Sequence, residues 1–241
     1  MTDQTSDSPA VSVTSLTKRY GTFTALDNLD LTLHAGHIVA LMGENGSGKT
    51  TLLKVLAGLL ADHDGDVRIF GERLGPATKA MVSFLPDASF LPDHITAETA
   101  IVIYRDFFAD FDEAKARDLI GGFRLRTDQR LNQMSKGMRE KLQIALAMSR
   151  NARVHLLDEP ISGVDPAARS VILDGILSAF DPNALLVIST HLITDIEAIA
   201  DQAVFVRDGR VLLQGDADDL RATHGAGLDE IFRKEYTCSP H

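Results

Sequence analysis

The chain has 241 residues, 44% of them hydrophobic, and a formal net charge of -10 at pH 7. This length suits one α/β domain with a subdomain, and the hydrophobic content is enough for a full core. The acidic balance argues against a broad basic surface, so we expect no nucleic-acid partner. The single cysteine, Cys238, excludes an intramolecular disulfide framework and is typical of a reducing compartment.

The sequence also bears on membranes. No uninterrupted apolar run approaches the ~20 residues that a membrane-spanning helix needs. Residues 1–10 are polar and lack the apolar stretch of a signal peptide, so we predict a short disordered tail there. Any role at a membrane is therefore expected to depend on a partner protein.

The first third of the chain predicts a glycine-rich turn between a strand and a helix. Alternating residues predict strands at 11–18 and 26–33 across a turn at Gly21, with Tyr20 between them. Residues 37–42 predict a buried strand, and the apolar spacing of residues 51–60 predicts a helix.

Residues 43–50, which join that strand to that helix, have the sequence GENGSGKT. Glycines let the backbone curl with its N–H groups pointing inward, and a helix N-terminus adds positive potential, so this P-loop captures phosphates. Lys49 is predicted to reach the outer phosphates, and the Thr50 hydroxyl is predicted to bind Mg²⁺. The predicted nucleotide-binding residues here are Gly43, Glu44, Asn45, Gly46, Ser47, Gly48, Lys49, Thr50 and Thr51.

The middle of the chain changes from strand to helix. A turn is predicted at 62–65, followed by a strand at 66–70 and another at 80–85, which Pro86 stops. Thr96, Asp112 and Ser135 can each cap a helix, so residues 86–150 are predicted to form a helical insertion between two halves of a sheet domain.

Strands return in the last third, at 154–157 and 184–188. Asp165 and Pro166 predict the start of one helix, another is predicted around Ile196, and Asp216 is predicted to cap the last one. Residues 203–206 and 211–213 predict a hairpin. Strands that alternate with helices predict an α/β fold: a P-loop core with a mostly parallel sheet, plus the inserted helices.

The strand at 154–157 ends in two carboxylates, Asp158 and Glu159. A carboxylate at a strand end beside bound phosphates suits hydrated Mg²⁺, so Asp158 is predicted to bind the metal. Glu159 is predicted to accept a proton from an attacking water. The alternative is a buried strand that meets solvent at an acidic turn, which the P-loop in the same chain disfavours.

Several segments occur in a characteristic order: the P-loop, 134–138 (MSKGM), 158–159, 163–165 (GVD) and 189–191 (STH). Together they resemble the nucleotide-binding subunit of an ABC transporter, from Tyr20 to about Gly215. The variant MSKGM most resembles the half-transporter ATPases of bacterial export systems. The resemblance implies ATP and Mg²⁺ as cofactors, a second ATP-binding subunit in a homodimer or heterodimer, and a separate membrane permease.

The resemblance also implies roles for five residues. Tyr20 would stack on the adenine, and Ser135 and Gly137 would hold the γ-phosphate of the ATP bound by the opposite subunit. Asp165 would organise the contact between the facing sites, and His191 would hydrogen-bond the γ-phosphate and hold Glu159 and the water in line. The implied domains are an ATPase core (11–85 and 151–220), a helical subdomain (86–150) and a C-terminal helix and tail (221–241).

Asp87 departs from the family pattern, which usually has a glutamine after this strand. A carboxylate is also a hard oxygen ligand, so Asp87 is predicted to replace the glutamine as a Mg²⁺ ligand. The alternative is an aspartate in a solvent-facing turn after Pro86.

Two other functions stay open from the sequence: a soluble ABC-type ATPase that is not coupled to transport, and a P-loop kinase for a small molecule. The single P-loop, the short insertion and the acidic balance disfavour the first, and a kinase would have no use for Ser135, Gly137 or His191. We therefore expect a transport ATPase at the cytoplasmic face of the cell membrane.

Overall fold

The computed structural model describes residues 9–238 and contains two sheets. A four-stranded antiparallel sheet has the order β2-β1-β4-β5, and a six-stranded sheet has the order β10-β9-β3-β8-β7-β6. The strands are β1 (Val11–Tyr20), β2 (Phe23–Leu33), β3 (Ile38–Met42), β4 (Asp64–Ile69), β5 (Glu72–Arg73), β6 (Val82–Leu85), β7 (Val154–Asp158), β8 (Leu185–Thr190), β9 (Gln202–Arg207) and β10 (Arg210–Asp216). In the larger sheet only the edge strand β10 is antiparallel to its neighbour. The α/β fold with a mostly parallel sheet and an antiparallel edge sheet is confirmed.

Helices connect the strands and cover both faces of the larger sheet. They are α1 (Lys49–Leu56), α2 (Pro76–Met81), α3 (Ala97–Phe107), α4 (Glu113–Gly122), α5 (Lys136–Met148), α6 (Pro166–Ala179), α7 (Ile193–Ile196), α8 (Ala217–His224) and α9 (Leu228–Cys238), with a 3₁₀ turn at Leu131–Gln133. None of them is long and apolar enough to cross a membrane within residues 9–238.

The five parallel strands of the six-stranded sheet are buried on both sides, because their side chains pack into two apolar clusters, one on each face. Along β3, Val39 and Leu41 pack with α1 and the four-stranded sheet, whereas Ala40 and Met42 pack with helices of the other cluster. This alternation follows from the two-residue period of a strand. It explains why the strands read as continuous apolar runs. The parallel pairing of β3 and β6 to β9 brings their carboxyl ends together at one edge of the sheet.

The predicted helix caps at Thr96, Asp112, Ser135, Asp165 and Asp216 are confirmed, because each side chain accepts a hydrogen bond from a backbone N–H of the first turn. Helices α3, α4 and α5 lie between β6 and β7 in the chain. The boundaries of the proposed helical subdomain stay a prediction. One apolar cluster runs through these helices and the sheet, and Arg150 joins Asp110 to the carbonyl of Val82.

Some predicted boundaries were wrong. Residues 80 and 81 belong to α2 rather than to the strand, because Pro76 starts a helix there and the Gly75 N–H bonds the Thr78 hydroxyl. Residues 64 and 65 lie in β4 rather than in a turn, and Tyr20 is the last residue of β1.

The helix after the P-loop starts earlier than predicted, at Lys49, and ends at Leu56. The helix that Asp216 caps is followed by α9 and is not the last. Most of the predicted N-terminal tail, residues 1–8, lies outside the described residues, whereas Ala10 is fully buried.

Candidate nucleotide site

The P-loop leaves β3 and enters α1 through Gly48, which is the N-cap of that helix. Gly48 has a φ of 110°, and a Cβ atom there would lie 2.7 Å from the carbonyl oxygen of Ala25. Only glycine tolerates both the left-handed backbone and this close approach. The turn therefore presses against β2 on its outer side while the first amides of α1 remain free for an anion.

Lys49 is buried inside this turn. Its ammonium donates hydrogen bonds to the carbonyl oxygens of Gly43 (2.7 Å) and Glu44 (3.1 Å) and lies 3.7 Å from Oε1 of Glu159. Burial lowers the pKa of Lys49, and the carboxylates of Glu159 and Asp158 oppose that shift. The cation is thus held near the P-loop backbone and two carboxylates, where a phosphate would complete its contacts.

Asp158 lies at the carboxyl end of β7 and is almost fully buried. Its Oδ1 atom accepts hydrogen bonds from Ser189 Oγ (2.6 Å) and Thr50 Oγ1 (3.2 Å). Its Oδ2 atom is buried and accepts no hydrogen bond from the described residues. A buried anionic oxygen that lacks a partner is costly unless a ligand satisfies it.

These oxygen atoms suit Mg²⁺, which the family's chemistry implies. Within residues 9–238, no three His, Cys, Asp or Glu side chains are grouped as a metal cage. Mg²⁺ is usually bound by one or two carboxylates together with substrate phosphates and water, so one buried aspartate and a hydroxyl beside a phosphate loop fit it.

Glu159 follows directly and has a left-handed backbone, with φ of 50°. Its N–H donates to the Ser189 carbonyl oxygen (3.1 Å) and hydroxyl (3.0 Å), which fixes the turn. Its Oε2 atom lies 2.9 Å from Nδ1 of His191, at the end of the neighbouring strand β8. Left-handed backbone at a non-glycine residue is strained and is often retained at functional sites. The turn aims the carboxylate back toward Lys49.

A cavity of about 250 Å³ joins several of the predicted residues. Tyr20 and Phe23, which pair across the β1–β2 hairpin, form one side of it and expose 47% and 60% of their surface. Lys18 Nζ lies 5.2 Å from the centre of the Tyr20 ring. The other lining residues are Ala25, Asn45, Gly46, Gly48, Lys49, Thr50, Thr51, Asp87 and Glu159.

The remaining P-loop residues lie elsewhere. Glu44 and Ser47 line a separate cavity of about 380 Å³ on the other side of the loop, together with Tyr236. Gly43 contributes its carbonyl oxygen to Lys49. The structure thus brings Tyr20, most of the P-loop, Asp87 and Glu159 to one cavity. Asp158 and His191 are not among its lining residues, but they contact Thr50 and Glu159, which are.

Asp87 lines both this cavity and a much smaller one that it shares with Glu140, Asp158 and Glu159. Sequence reasoning missed Glu140, which lies in α5. Burial raises the pKa of the Glu140 carboxyl; Lys136 opposes this shift and Asp87 adds to it. The aspartate in place of the usual glutamine therefore adds negative charge to a site that already contains three carboxylates.

Ser135, Gly137 and Asp165 are not among the lining residues of that cavity. Ser135 caps α5 by accepting from Met138 N (3.2 Å), and Asp165 caps α6 by accepting from Ala168 N (3.0 Å). A Cβ atom on Gly137 would lie 3.7 Å from Val164, so the two segments are neighbours. These three residues thus lie near one another and outside the lining of the cavity that contains Lys49.

Two further residues were not predicted. Ser189 binds both Asp158 and the Glu159 backbone, although the sequence showed it only as part of the STH segment. Arg169 donates to the Val164 carbonyl oxygen (2.9 Å) and to Asp195 Oδ2 (2.8 Å), and so joins the segment after Glu159 to the segment after His191.

Comparison with known proteins gives consistent matches. The sequence profile described as "ABC transporter" matches residues 26–162. The chain is 31% identical over 234 residues to the daunorubicin resistance ATP-binding protein DrrA3 of Streptomyces coeruleorubidus, covering 93% of this chain and 74% of that protein. It is 34% identical over 221 residues to a putative ABC transporter ATP-binding protein of Halobacterium salinarum, covering 88% and 95%.

The chain is also 31% identical to the Nod factor export ATP-binding protein I of Ralstonia nicotianae, covering 92% of this chain and 72% of that protein. Among solved structures, one described as the ATP-binding subunit of an ABC transporter superimposes with a TM-score of 0.84 at 29% identity. It covers 94% of this chain and 99% of that one.

Proposed function

The chain belongs to the ABC transporter family of ATP-binding proteins, whose members hydrolyse ATP to power transport, and we propose that it does so by pairing with a second ATP-binding subunit. The observation that carries this proposal is the arrangement of Lys49, Asp158, Glu159 and His191. Lys49 and Glu159 line one cavity at the carboxyl ends of the parallel strands, to which His191 is joined through Glu159 and Asp158 through Thr50. In α/β sheets this is where ligands bind.

The chemistry follows from these side chains. The P-loop amides and Lys49 bind the phosphates, and Tyr20 stacks on the adenine. Glu159 accepts the proton of a water that attacks the γ-phosphorus, and His191 keeps the Glu159 carboxylate in position. Thr50, Asp158 and Asp87 would hold Mg²⁺, which supplies charge neutralisation at the phosphates.

The position of Ser135 and Gly137 supports the pairing. Ser135 and Gly137 lie at the N-terminus of α5, where a hydroxyl and backbone N–H groups favour an anion. Because they lie outside the chain's own cavity, we propose that they bind the ATP of the second subunit, with Asp165 at the contact between the two sites. ATP binding then closes the dimer and hydrolysis reopens it.

The work is delivered to a separate membrane permease, so the chain is placed at the cytoplasmic face of the membrane as a peripheral subunit. Export is favoured as the direction because one relative is named for export and another for drug resistance. The homodimer and the heterodimer both satisfy this arrangement. A pull-down from detergent-solubilised membranes, with recovery of an integral membrane protein identified by mass spectrometry, tests the permease assignment.

The decisive experiment is Glu159→Gln, which keeps the shape of the side chain and removes the base. We expect hydrolysis to fall by at least about 100-fold and the protein to accumulate as an ATP-bound dimer in light scattering. Glu72→Gln, at the exposed end of β5, is the matched control and should behave as wild type. Hydrolysis at the wild-type rate by Glu159→Gln would show that Glu159 is not the base, and a persistent monomer would refute the homodimer.

A further inference from the structure

The C-terminal helix α9 packs against strand β9. Leu228 and Ile231 are completely buried, and the Phe232 ring meets the Phe205 ring edge-to-face with centres 5.6 Å apart. The Tyr236 ring lies 4.1 Å from that of Phe232. These contacts follow the three- and four-residue spacing of a helix face. They carry Tyr236, one turn further along, to the end of β9.

Tyr236 joins β9 to the start of the P-loop. Its hydroxyl donates a hydrogen bond to the Val206 carbonyl oxygen and accepts one from the Glu44 N–H (3.3 Å). Arg207 holds the same residue by donating to the Tyr236 carbonyl oxygen (3.1 Å). Burial raises the pKa of the Tyr236 hydroxyl, which therefore keeps its proton for donation.

The position of this hydroxyl has a structural reason. The parallel pairing of β3 with β9 ends at Met42 and Phe205, because the chain then curls into the P-loop. The Glu44 N–H and the Val206 carbonyl oxygen lie just beyond this point and have no partner in the β3–β9 pairing. One hydroxyl can serve both, because it is a donor and an acceptor at once. The Tyr236 hydroxyl thus links β9 to the P-loop just beyond the last backbone pair of β3 and β9.

The same residue of the P-loop also contacts the lysine. The Glu44 N–H donates to the Tyr236 hydroxyl, and the Glu44 carbonyl oxygen accepts from Lys49 Nζ (3.1 Å). A second outer contact, from Gly209 N to the Ser47 carbonyl oxygen (2.9 Å), supports the loop further along. The Glu44 backbone is therefore held on one side by Tyr236 of α9 and on the other by the Lys49 ammonium, the group proposed to bind the phosphates.

We propose that Tyr236 is a positioning residue for the nucleotide site, through which docking of α9 fixes the Glu44 carbonyl and hence the Lys49 ammonium. This inference rests on the proposed function of the P-loop. By linkage it has two sides: loss of the hydroxyl weakens nucleotide binding, and bound nucleotide stabilises the docking of α9 by the same factor.

The test uses the full chain and Tyr236→Phe, which retains the ring and its packing. We expect the Kd for ATP and the KM to rise about 5-fold, the size that one hydrogen bond carries, while kcat changes less than about 2-fold, because Tyr236 touches no reacting atom. Tyr104→Phe makes the same chemical change at a buried tyrosine of α3 and should leave Kd and KM at wild-type values. Because wild type and Tyr236→Phe differ only by the hydroxyl, the comparison isolates the contribution of that group.

Hydrogen exchange supplies the reciprocal measurement. ATP should slow the exchange of amides 228–236 in wild type and in Tyr104→Phe, and should lose most of this effect in Tyr236→Phe. The inference is overturned, while the proposed function stands, if Tyr236→Phe binds ATP with the wild-type Kd. The same holds if ATP does not change the hydrogen exchange of α9 in wild type. A wild-type chain that binds no ATP overturns both.

Discussion

Nδ1 of His191 lies 2.9 Å from Oε2 of Glu159, although the two residues follow different strands. The neighbouring strands β7 and β8 are parallel, with Asp158 paired to Ser189, so the residues that follow each strand emerge side by side. The contact leaves Oε1 of Glu159 without a hydrogen bond among the described residues and directed toward Lys49. One carboxylate oxygen is thus held for orientation and the other is available for chemistry.

His191→Ala should lower kcat by about 100-fold with little change in ATP affinity, because an unheld carboxylate is a poorly placed base. Steady-state kinetics together with equilibrium binding separate the two effects. His94→Ala, at an exposed histidine, is the control. A loss of affinity that matches the loss of rate would show that His191 acts in binding instead.

Ser189→Ala removes the hydroxyl that bonds both Asp158 and the Glu159 backbone. We expect a loss of about 1 kcal/mol in the free energy of unfolding and a fall in kcat of about 10-fold, because two functional residues lose their support. Ser83→Ala is the matched control, since Ser83 is equally buried and donates to the Ala147 carbonyl oxygen at 2.8 Å. In urea unfolding, Ser83→Ala should lose a similar free energy of unfolding, but it should retain the wild-type kcat. Equal kcat values in Ser83→Ala and Ser189→Ala would contradict the prediction.

Asp87→Ala should raise the Mg²⁺ concentration for half-maximal ATPase activity by about 10-fold, because one hard oxygen ligand is lost. Asp87→Gln keeps an oxygen ligand and removes a charge beside Glu140, so its curve should lie closer to wild type. Activity titrated against Mg²⁺ measures this, with Asp93→Ala as a control in the same connection before α3. If neither Asp87 variant changes the curve, Asp87 is not a ligand.

His155 makes stability depend on pH. Burial, with Lys115 and Arg150 nearby, lowers its pKa from 6.5 to about 4. His155 is protonated near pH 6.5 in the unfolded chain but only near pH 4 in the folded chain. The stability that neutral His155 permits is therefore fully present above pH 6.5 and is lost as the pH falls toward 4. The free energy of unfolding is expected to fall by about 3 kcal/mol between pH 6.5 and about pH 4.

Urea unfolding from pH 7 to pH 4.5 measures this slope in wild type and in His155→Leu. The variant should show a flatter dependence, because it has no proton to gain at this position. Equal slopes in wild type and His155→Leu would exclude His155 as the titrating group.

Much of the fold was predictable because its signals are local. The strand, glycine turn and helix of the P-loop follow one another in the chain, and the caps at Ser135 and Asp165 act within one turn. Helix α2 was missed because Thr78 is its only buried residue, so it has no apolar period. The spacing of Leu228, Ile231 and Phe232 was a usable signal for α9.

The long-range contacts had no signal in the sequence. Tyr236 meets Glu44 across 192 positions, and nothing near Tyr236 distinguishes it from an ordinary helical tyrosine. Glu140 resembles a solvent-facing residue of an amphipathic helix, and only the packing of α5 beside Asp87 buries it. The proposal that Ser135 and Gly137 serve the ATP of a second subunit rests on the resemblance, because no local pattern shows which residues of one chain would contact another.

Arg169 gives the site a mechanical property. By bonding the Val164 carbonyl oxygen and Asp195 together, its guanidinium fastens the segment between Glu159 and α6 to the helix after His191. In the proposed dimer, a displacement of residues 162–165 by the second subunit would therefore be transmitted through Arg169 to the helix that follows His191.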